Sequence, residues 1–366
     1  RVVARDVCAE LPDPGYDQSL RDGFVIGSSA LGGEDDRCFY QVIGEIPAGC
    51  CHSFEIGPGE AYRIMTGGMM PGGAERVVQQ EDCIYISERI EVPAEVLKSR
   101  NRFIQERGSS ISRAAPVVSR GTLLGAADVG MLATTGNRHL DVYRRVSVSF
   151  FCSGNELVSL DAAIKQGQKI SSNCYLLAAL LNSCQALPVD WGVARDTPAE
   201  IEQLLSEISS SNTDIIVSTG GMGPGKYDVL KTVFEKTGGE VIYRSIAMRP
   251  GQSTLFGILA GKLYFGLPGP PFAVGVLFHE LVLPALRRMQ GHRAYLNRDD
   301  GAVLDQDISA GKNRFLTVRE GILFFRDCTR HVRLPGDGEQ PDCYILLDPG
   351  RSRYVQGDVV RIHKTR

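Results

Sequence analysis

Residues 214–228 read DIIVSTGGMGPGKYD, and this stretch decides the fold. After Asp214, the β-branched run Ile215, Ile216 and Val217 is of the kind found in a strand buried on both faces of a parallel sheet. Ser218, Thr219, Gly220 and Gly221 follow, then Gly223, Pro224 and Gly225, and Val229, Leu230, Val233 and Phe234 recur at helical spacing. A strand, a glycine-rich turn and a helix N-terminus together bring bare backbone N–H groups to one place, where an anionic group can approach. The plain alternative is a tight βα turn that needs glycine for geometry alone. The fragment by itself does not separate the two.

The neighbouring sequence repeats the pattern. VSVSFF (146–151) is a continuous apolar strand followed by the loop Cys152-Ser153-Gly154-Asn155-Glu156. SSNCYLLAALLNSC (171–184) is an amphipathic helix with Ser172 or Asn173 suited to its N-cap. PVDWGVARD (188–196) is strand then loop, and 198–209 is a helix with Thr197 before it as cap. EVIYRSIAM, STLFGIL and KLYFGLPG supply further strands. PFAVGVLFHELVLPALRRMQG is a long helix ending at Gly291 and bent by Pro284. Such βαβ repetition predicts a doubly wound, mainly parallel sheet with helices on both faces.

The flanks differ. From about 38 to 121 short strands alternate with Gly/Pro turns, after a turn-rich loop containing Asp17 and Asp22, and AADVGMLATTG closes the region as a short helix ending at Gly136. After Gly291 short strands return. The predicted fold class is therefore multi-domain α/β: an N-terminal β-rich linker and inserted domain (1–144), a βαβ sheet domain (145–291) and a small C-terminal β domain (292–366).

Composition narrows the function. The 366 residues are 43% hydrophobic and 23% charged with a formal net charge of -3, which gives no reason to expect nucleic acid or an anionic membrane as partner. No apolar stretch is long enough for a transmembrane helix. The 10 Cys are scattered without C-x-x-C or zinc-type spacing, so reduced core cysteines and a cytoplasmic location are expected. The opening RVVARDV lacks an initiator Met and a signal-peptide pattern, and is expected to lie inside a longer sequence.

In an open α/β sheet, ligands bind beyond the C-terminal strand ends. Four loops there (152–156, 194–198, 218–228, 266–271) carry Ser153, Glu156, Asp196, Thr219, Gly220, Gly221, Gly225, Asp228 and the turn around Gly269. Glycines and hydroxyls suit a phosphate, and the three carboxylates suit a divalent cation that prefers oxygen ligands. Arg249 can pair with an anion. A carboxylate in a βα loop also serves commonly as a cap, and His279, in an apolar helix, reads as a satisfied structural histidine. No Walker A, G-x-S-x-G, H-E-x-x-H or G-x-G-x-x-G motif is present. Spacing alone supports a phosphate-bearing ligand with a divalent metal, and no further.

At DPGYDQSLRDGF (13–24), YRIMTGGMMPGGAERVVQQED (62–82), ERGSSI (106–111), FCSGNEL (151–157), STGGMGPGKYDVLK (218–231), AMRPGQS (247–253) and FGLPGPP (265–271), the chain resembles the molybdopterin molybdenumtransferase family, which includes MoeA and the gephyrin E domain. The resemblance implies insertion of molybdate into adenylylated molybdopterin with release of AMP, Mg²⁺ as the divalent cation, and an elongated cytoplasmic homodimer. It also implies contact with other proteins of molybdenum cofactor biosynthesis. By matching position it implies catalytic roles for Asp22, Thr66, Glu156, Asp196 and Asp228, with Glu156 and Asp228 on the metal. Ser153, Thr219, Gly220, Gly221, Gly225, Arg249 and Gly269 would bind the pterin substrate.

The chain also departs from the family pattern. Lys226 stands in the turn where the family has an acidic residue. Arg249 and Gln252 replace two lysines, Ser110 an Asp, and Pro270 an Asn. Gln252 brings no charge, and Pro270 removes a backbone donor. These changes motivate a second expectation: a catalytically altered paralogue that binds molybdopterin or an oxyanion as a scaffold protein.

Overall fold

The strand Ile215–Thr219 is buried along its whole length, as its apolar run requires. It is an inner strand of a six-stranded sheet ordered Leu187–Ala194, Ser147–Ser153, Ile215–Thr219, Lys262–Leu267, Leu255–Leu259, Glu240–Tyr243. The first four strands are parallel, and Leu255–Leu259 is antiparallel to both of its neighbours. Register places Val148 beside Ile215, Phe150 beside Val217, and Cys152 beside Thr219.

The two-residue period of the strands builds two cores. Val148, Phe150, Ile215 and Val217 pack with Leu177 and Leu181 of the helix Ser172–Ser183 and with Val274 and Leu277. Phe151 and Ile216 face the other way, against Ile201, Leu205 and Ile208 of Pro198–Ser210 and Leu230 and Phe234 of Val229–Lys236. Each of these large side chains contributes about 1.5–3 kcal/mol by leaving water.

The chain leaves Ser147–Ser153 to one side, for Leu187–Ala194, and returns on the other side as Ile215–Thr219. This reversal of strand order opens a crevice between the two C-terminal strand ends.

The structure is a computed structural model describing residues 1–28, 33–34, 36–50, 53–221, 229–311 and 314–365. It comprises two compact units, Val3–Val142 and Tyr143–Arg366 with Arg1–Val2.

The long helix after Pro271 has three parts: Pro271–Leu277, a π turn Phe278–Val282, and Leu283–Met289. Pro284 has no N–H to give and its ring crowds the preceding turn. The widened π turn before it, in which Leu283 N–H donates to the Phe278 carbonyl, accommodates that ring. The His279 carbonyl thereby loses its usual donor and accepts from Asn297 Nδ2 at 2.8 Å instead. Gly291 ends the helix with φ +81°, where a Cβ would lie 2.2 Å from the Tyr143 ring.

Beyond the helix, Leu316–Arg326, Thr329–Arg333, Asp300–Leu304, Val359–Lys364 and Cys343–Leu347 pair in that order, and the last pairs back with the first. The result is a closed barrel around Leu304, Val332, Ile345, Leu347 and Ile362. The segment EVIYRSIAM, expected as one strand, splits. Glu240–Tyr243 stays in the α/β sheet, and Met248–Arg249 pairs with the barrel strand at Leu316. The polar pair Arg244-Ser245 breaks the apolar alternation between them.

The N-terminal unit holds a seven-stranded mixed sheet ordered Ala74–Gln79, Gly23–Gly27, Glu60–Ile64, Arg37–Ile46, Arg89–Pro93, Ile84–Ile86, with Gly33–Glu34 beside Arg37–Ile46. The helix Ala126–Thr134 follows, closed by Gly136 at φ +83°. Among the described residues no helix is long and apolar enough to cross a membrane.

Candidate active site

A polar cleft of about 730 Å³ occupies the switch point, walled by Ser153, Gly154, Glu156 and Leu157, the start of the helix at Ser172, Thr219–Gly221 and Pro268–Pro271. Its floor depends on glycine. Gly220 sits at φ +92°, and a Cβ on it would lie 2.2 Å from the Ser153 carbonyl oxygen. Gly221, at φ +60°, would bring a Cβ to 3.1 Å from Ser153 Oγ. Only glycine meets both the backbone conformation and the close approach. Gly220 N–H donates to the Leu267 carbonyl at 3.0 Å, tying the turn to the adjacent strand end.

Asn173 joins the two glycine loops. The helix begins at Ser172 with Ser171 as N-cap, and no cap hydrogen bond comes from the Ser171 side chain. The capping role expected of Ser172 or Asn173 is therefore not what the structure shows. Buried Asn173 turns inward, donating from Nδ2 to the Gly269 carbonyl at 2.8 Å and to Thr219 Oγ1 at 3.3 Å. Asn173 Oδ1 and Ser153 Oγ are buried without a hydrogen-bond partner among the described residues. Leaving such an atom unsatisfied costs about 1–3 kcal/mol, so the pair marks where a bound ligand's polar groups would gain most.

Carboxylates stand at the rim. Glu156 Oε1 lies 3.1 Å from Lys169 Nζ. Its own backbone N–H, and secondarily Lys169, hold its carboxyl below the usual range. Asp196 follows the strand Leu187–Ala194, lines the cleft, and donates its backbone N–H to Asn155 Oδ1 at 3.2 Å. At the strand end, Cys152 and Cys174 bring their sulfurs to 3.2 Å. Cys152 is the more easily ionised of the two, because the Cys174 thiol donates to it and the Ser171 and Thr219 hydroxyls assist against the effect of burial.

Asp22 and Thr66 meet in the N-terminal unit. Asp22 Oδ1 accepts from the Thr66 backbone N–H and from Thr66 Oγ1, both at 2.7 Å. These bonds lower the Asp22 carboxyl from its ordinary value. The same corner gathers other parts of the motifs at 13–24, 62–82 and 106–111. Tyr16 donates to the Gly67 carbonyl, Arg107 N–H donates to Asp17, and Ser110 N–H donates to the Asp13 carbonyl.

Of the residues singled out in the sequence, Ser153, Glu156, Asp196, Thr219, Gly220, Gly221 and Gly269 line one cleft. Gly225 and Asp228 lie outside the described residues. Arg249 is exposed on its short strand beside the barrel and is not among the residues lining the cleft. Lys169, Asn173 and Ser253 also line the cleft, although the sequence pattern gives none of them a binding role. Ser253 lies inside the AMRPGQS stretch, and Asn173 stands where a helix cap is equally expected.

An open α/β sheet with a glycine-floored, oxygen-lined crevice at its switch point defines a domain for an anionic small-molecule ligand. Known families agree with that class. Residues 1–136 match the MoeA N-terminal region (domain I and II), and residues 149–288 match a family described as a probable molybdopterin binding domain. The chain is 32% identical over 296 residues to a molybdopterin molybdenumtransferase of Nostoc sp., covering 80% of this chain and 67% of the relative. It is 27% identical over 373 residues to that of Haemophilus influenzae, covering 99% and 90% respectively. The crystal structure of a molybdopterin biosynthesis MoeA protein from Pyrococcus horikoshii superposes with a TM-score of 0.82 at 26% identity, covering 100% of this chain and 92% of that one. The chain belongs to the molybdopterin molybdenumtransferase family, transferases of molybdenum cofactor biosynthesis.

Proposed function

We propose that this chain inserts molybdate into adenylylated molybdopterin, releasing AMP, as a Mg²⁺-dependent cytoplasmic homodimer. The observation that carries the reading is the crevice itself. Ser153 Oγ is buried and unsatisfied beside the positive-φ turn Gly220–Gly221, a cradle that takes an anion with several oxygens, while the unsatisfied acceptor Asn173 Oδ1 suits an N–H or O–H of the ligand. Phosphate oxygens would accept from the Gly221 backbone N–H and from Ser153 Oγ. Gly269, held by Asn173, would keep the opposite wall at a fixed distance. Asp196 and Thr219 complete the polar lining. Asp22 and Thr66 in the N-terminal unit, together with Gly225 and Arg249, are assigned roles by their match to the family motifs.

The donor set fits a hard divalent cation, since carboxylate and hydroxyl oxygens are the ligands Mg²⁺ prefers. Glu156 and Asp228 would hold it, and Glu156 would first exchange its Lys169 partner. When bound, the ion neutralises phosphate and oxyanion charge.

The test is AMP release from the adenylylated pterin by the full chain with molybdate and Mg²⁺. The expected result is turnover in the parent and background rates in Glu156→Gln and Asp228→Ala. A clean preparation that binds neither the pterin nor molybdate overturns the proposal. Pterin binding without AMP release supports the scaffold reading instead.

A further inference from the structure

Beyond the cleft, the π turn and the last barrel strand bring together a group of side chains that the proposed reaction does not use. His279 and Glu280 come from the turn Phe278–Val282, and His363 from the strand Val359–Lys364. One ligand-capable atom from each lies within 4.8 Å of the others. Both histidines are buried, at 7% and 8% exposure, so the group is no chance encounter of solvated side chains.

Hydrogen-bond logic fixes where the ring protons sit. His279 Nε2 is 2.9 Å from the Lys364 carbonyl oxygen, which can only accept, so Nε2 carries the hydrogen. In a neutral ring that leaves a lone pair on Nδ1. The Asn297 amide nitrogen, a donor, lies 3.2 Å from that Nδ1, in agreement with a lone pair there. Yet the same Nδ1 is 3.0 Å from Glu280 Oε1, which is also an acceptor.

His363 repeats the pattern. Its Nε2 is 2.9 Å from the Asp299 carboxylate, and its Nδ1 is 2.9 Å from both Glu280 oxygens. With each Nδ1 deprotonated, two imidazole nitrogens and the Glu280 carboxylate face a common point, within 4.8 Å of one another. Either a proton on Nδ1 or a metal cation at that point satisfies the acceptors, and the metal displaces the weak 3.2 Å approach of Asn297.

We propose that His279 Nδ1, Glu280 and His363 Nδ1 bind a divalent transition-metal ion of the Zn²⁺ class, separate from any Mg²⁺ in the cleft. Two imidazoles and a carboxylate are a common zinc ligand set, with bonds of about 2.0–2.2 Å that a cluster of this span can close around. Each ring is already oriented by its distal N–H, one on a backbone carbonyl and one on a carboxylate, which is how metal-bound histidines are ordinarily held. Nitrogen donors favour Zn²⁺ over Mg²⁺, which takes oxygen. The ion would tie the helix of the α/β domain to the closing strand of the barrel.

The test uses the full chain, stripped with a chelator, and titrated with Zn²⁺ by calorimetry and with Co²⁺ by visible absorption. The expected result is one Zn²⁺ per chain, a Co²⁺ spectrum of low-coordinate nitrogen and oxygen ligation, and no competition from excess Mg²⁺. Glu280→Gln and His363→Gln should lose the site. Asp299→Asn touches an exposed residue that leaves the three ligands in place, and should weaken binding about 10–100-fold. Absence of stoichiometric binding to the parent overturns the proposal in favour of a cluster satisfied by protons. So does binding undiminished in both Glu280→Gln and Asp299→Asn.

Discussion

Replacing Asn173 by aspartate keeps the shape of the side chain and removes its donor. In the structure that donor serves the Gly269 carbonyl at 2.8 Å and Thr219 Oγ1 at 3.3 Å, and the residue is 7% exposed. Loss of one net hydrogen bond costs about 0.5–1.5 kcal/mol, and a buried carbonyl left unsatisfied about 1–3 kcal/mol. The expected destabilisation of Asn173→Asp at neutral pH is therefore about 2–3 kcal/mol. That corresponds to roughly 5–10 °C in Tm for a unit of this size. The introduced carboxyl is buried beside a carbonyl oxygen, so its folded-state pKa rises above the unfolded value. A raised acid pKa means that the penalty is fully present above the folded pKa and shrinks as pH falls toward the unfolded one. Urea melts of parent, Asn173→Asp and Asn173→Ala between pH 7 and pH 5 should show the aspartate gap narrowing while the alanine gap stays level. Equal stability of Asn173→Asp and parent at pH 7, or an aspartate gap independent of pH, would refute the assignment of Asn173 as the link between the two glycine loops.

Two further outcomes follow from the same geometry. Gly220→Ala should lose at least about 1–3 kcal/mol from its positive φ alone. Because its Cβ would lie 2.2 Å from the Ser153 carbonyl oxygen, it should also lose affinity for the anionic ligand more sharply than stability, as read by calorimetry beside a thermal melt. Thr66→Val should raise the Asp22 pKa part of the way to its ordinary value, since the backbone N–H, the larger cause, remains. Carboxyl NMR titration reads this directly. The depressed folded pKa implies a favourable contribution at neutral pH that is lost as pH falls through it, so an unchanged Asp22 titration in Thr66→Val would contradict the bond.

Much of the α/β sheet was legible because its inner strands Ser147–Ser153 and Ile215–Thr219 are buried on both faces. Ile215, Ile216 and Val217 form an unbroken apolar run, and Val148 and Phe150 alternate with small serines before Phe151, patterns that need little context. The glycine turn was legible for a related reason, since backbone at positive φ selects for glycine. Asn173 was not, because a polar residue at a helix start is favoured for capping as well as for reaching a distant carbonyl, and only the folded position of Gly269 decides. The Glu156–Lys169 pair rests on strands of two residues each, Leu157–Val158 and Lys169–Ile170, too short to carry a periodic signal. Barrel closure depends on Leu316–Arg326 pairing with Cys343–Leu347, a non-local register that turn residues do not encode. The His279–Glu280–His363 group was hidden because its members are separated by more than eighty residues and joined only by that closure.

The π turn at Phe278–Val282 also sets how the helix tolerates changes in length. A residue removed there would restore ordinary spacing, but would rotate everything after it by about 100° about the axis. Leu283 and Leu286, which now face the core at 6% and 0% exposure, would swing toward solvent, and Arg287 or Arg288 would take their places. The segment is thus a phase adjuster whose extra residue cannot be trimmed without refacing the last two turns of the helix, whereas one-for-one substitutions on its outer side leave that phase untouched.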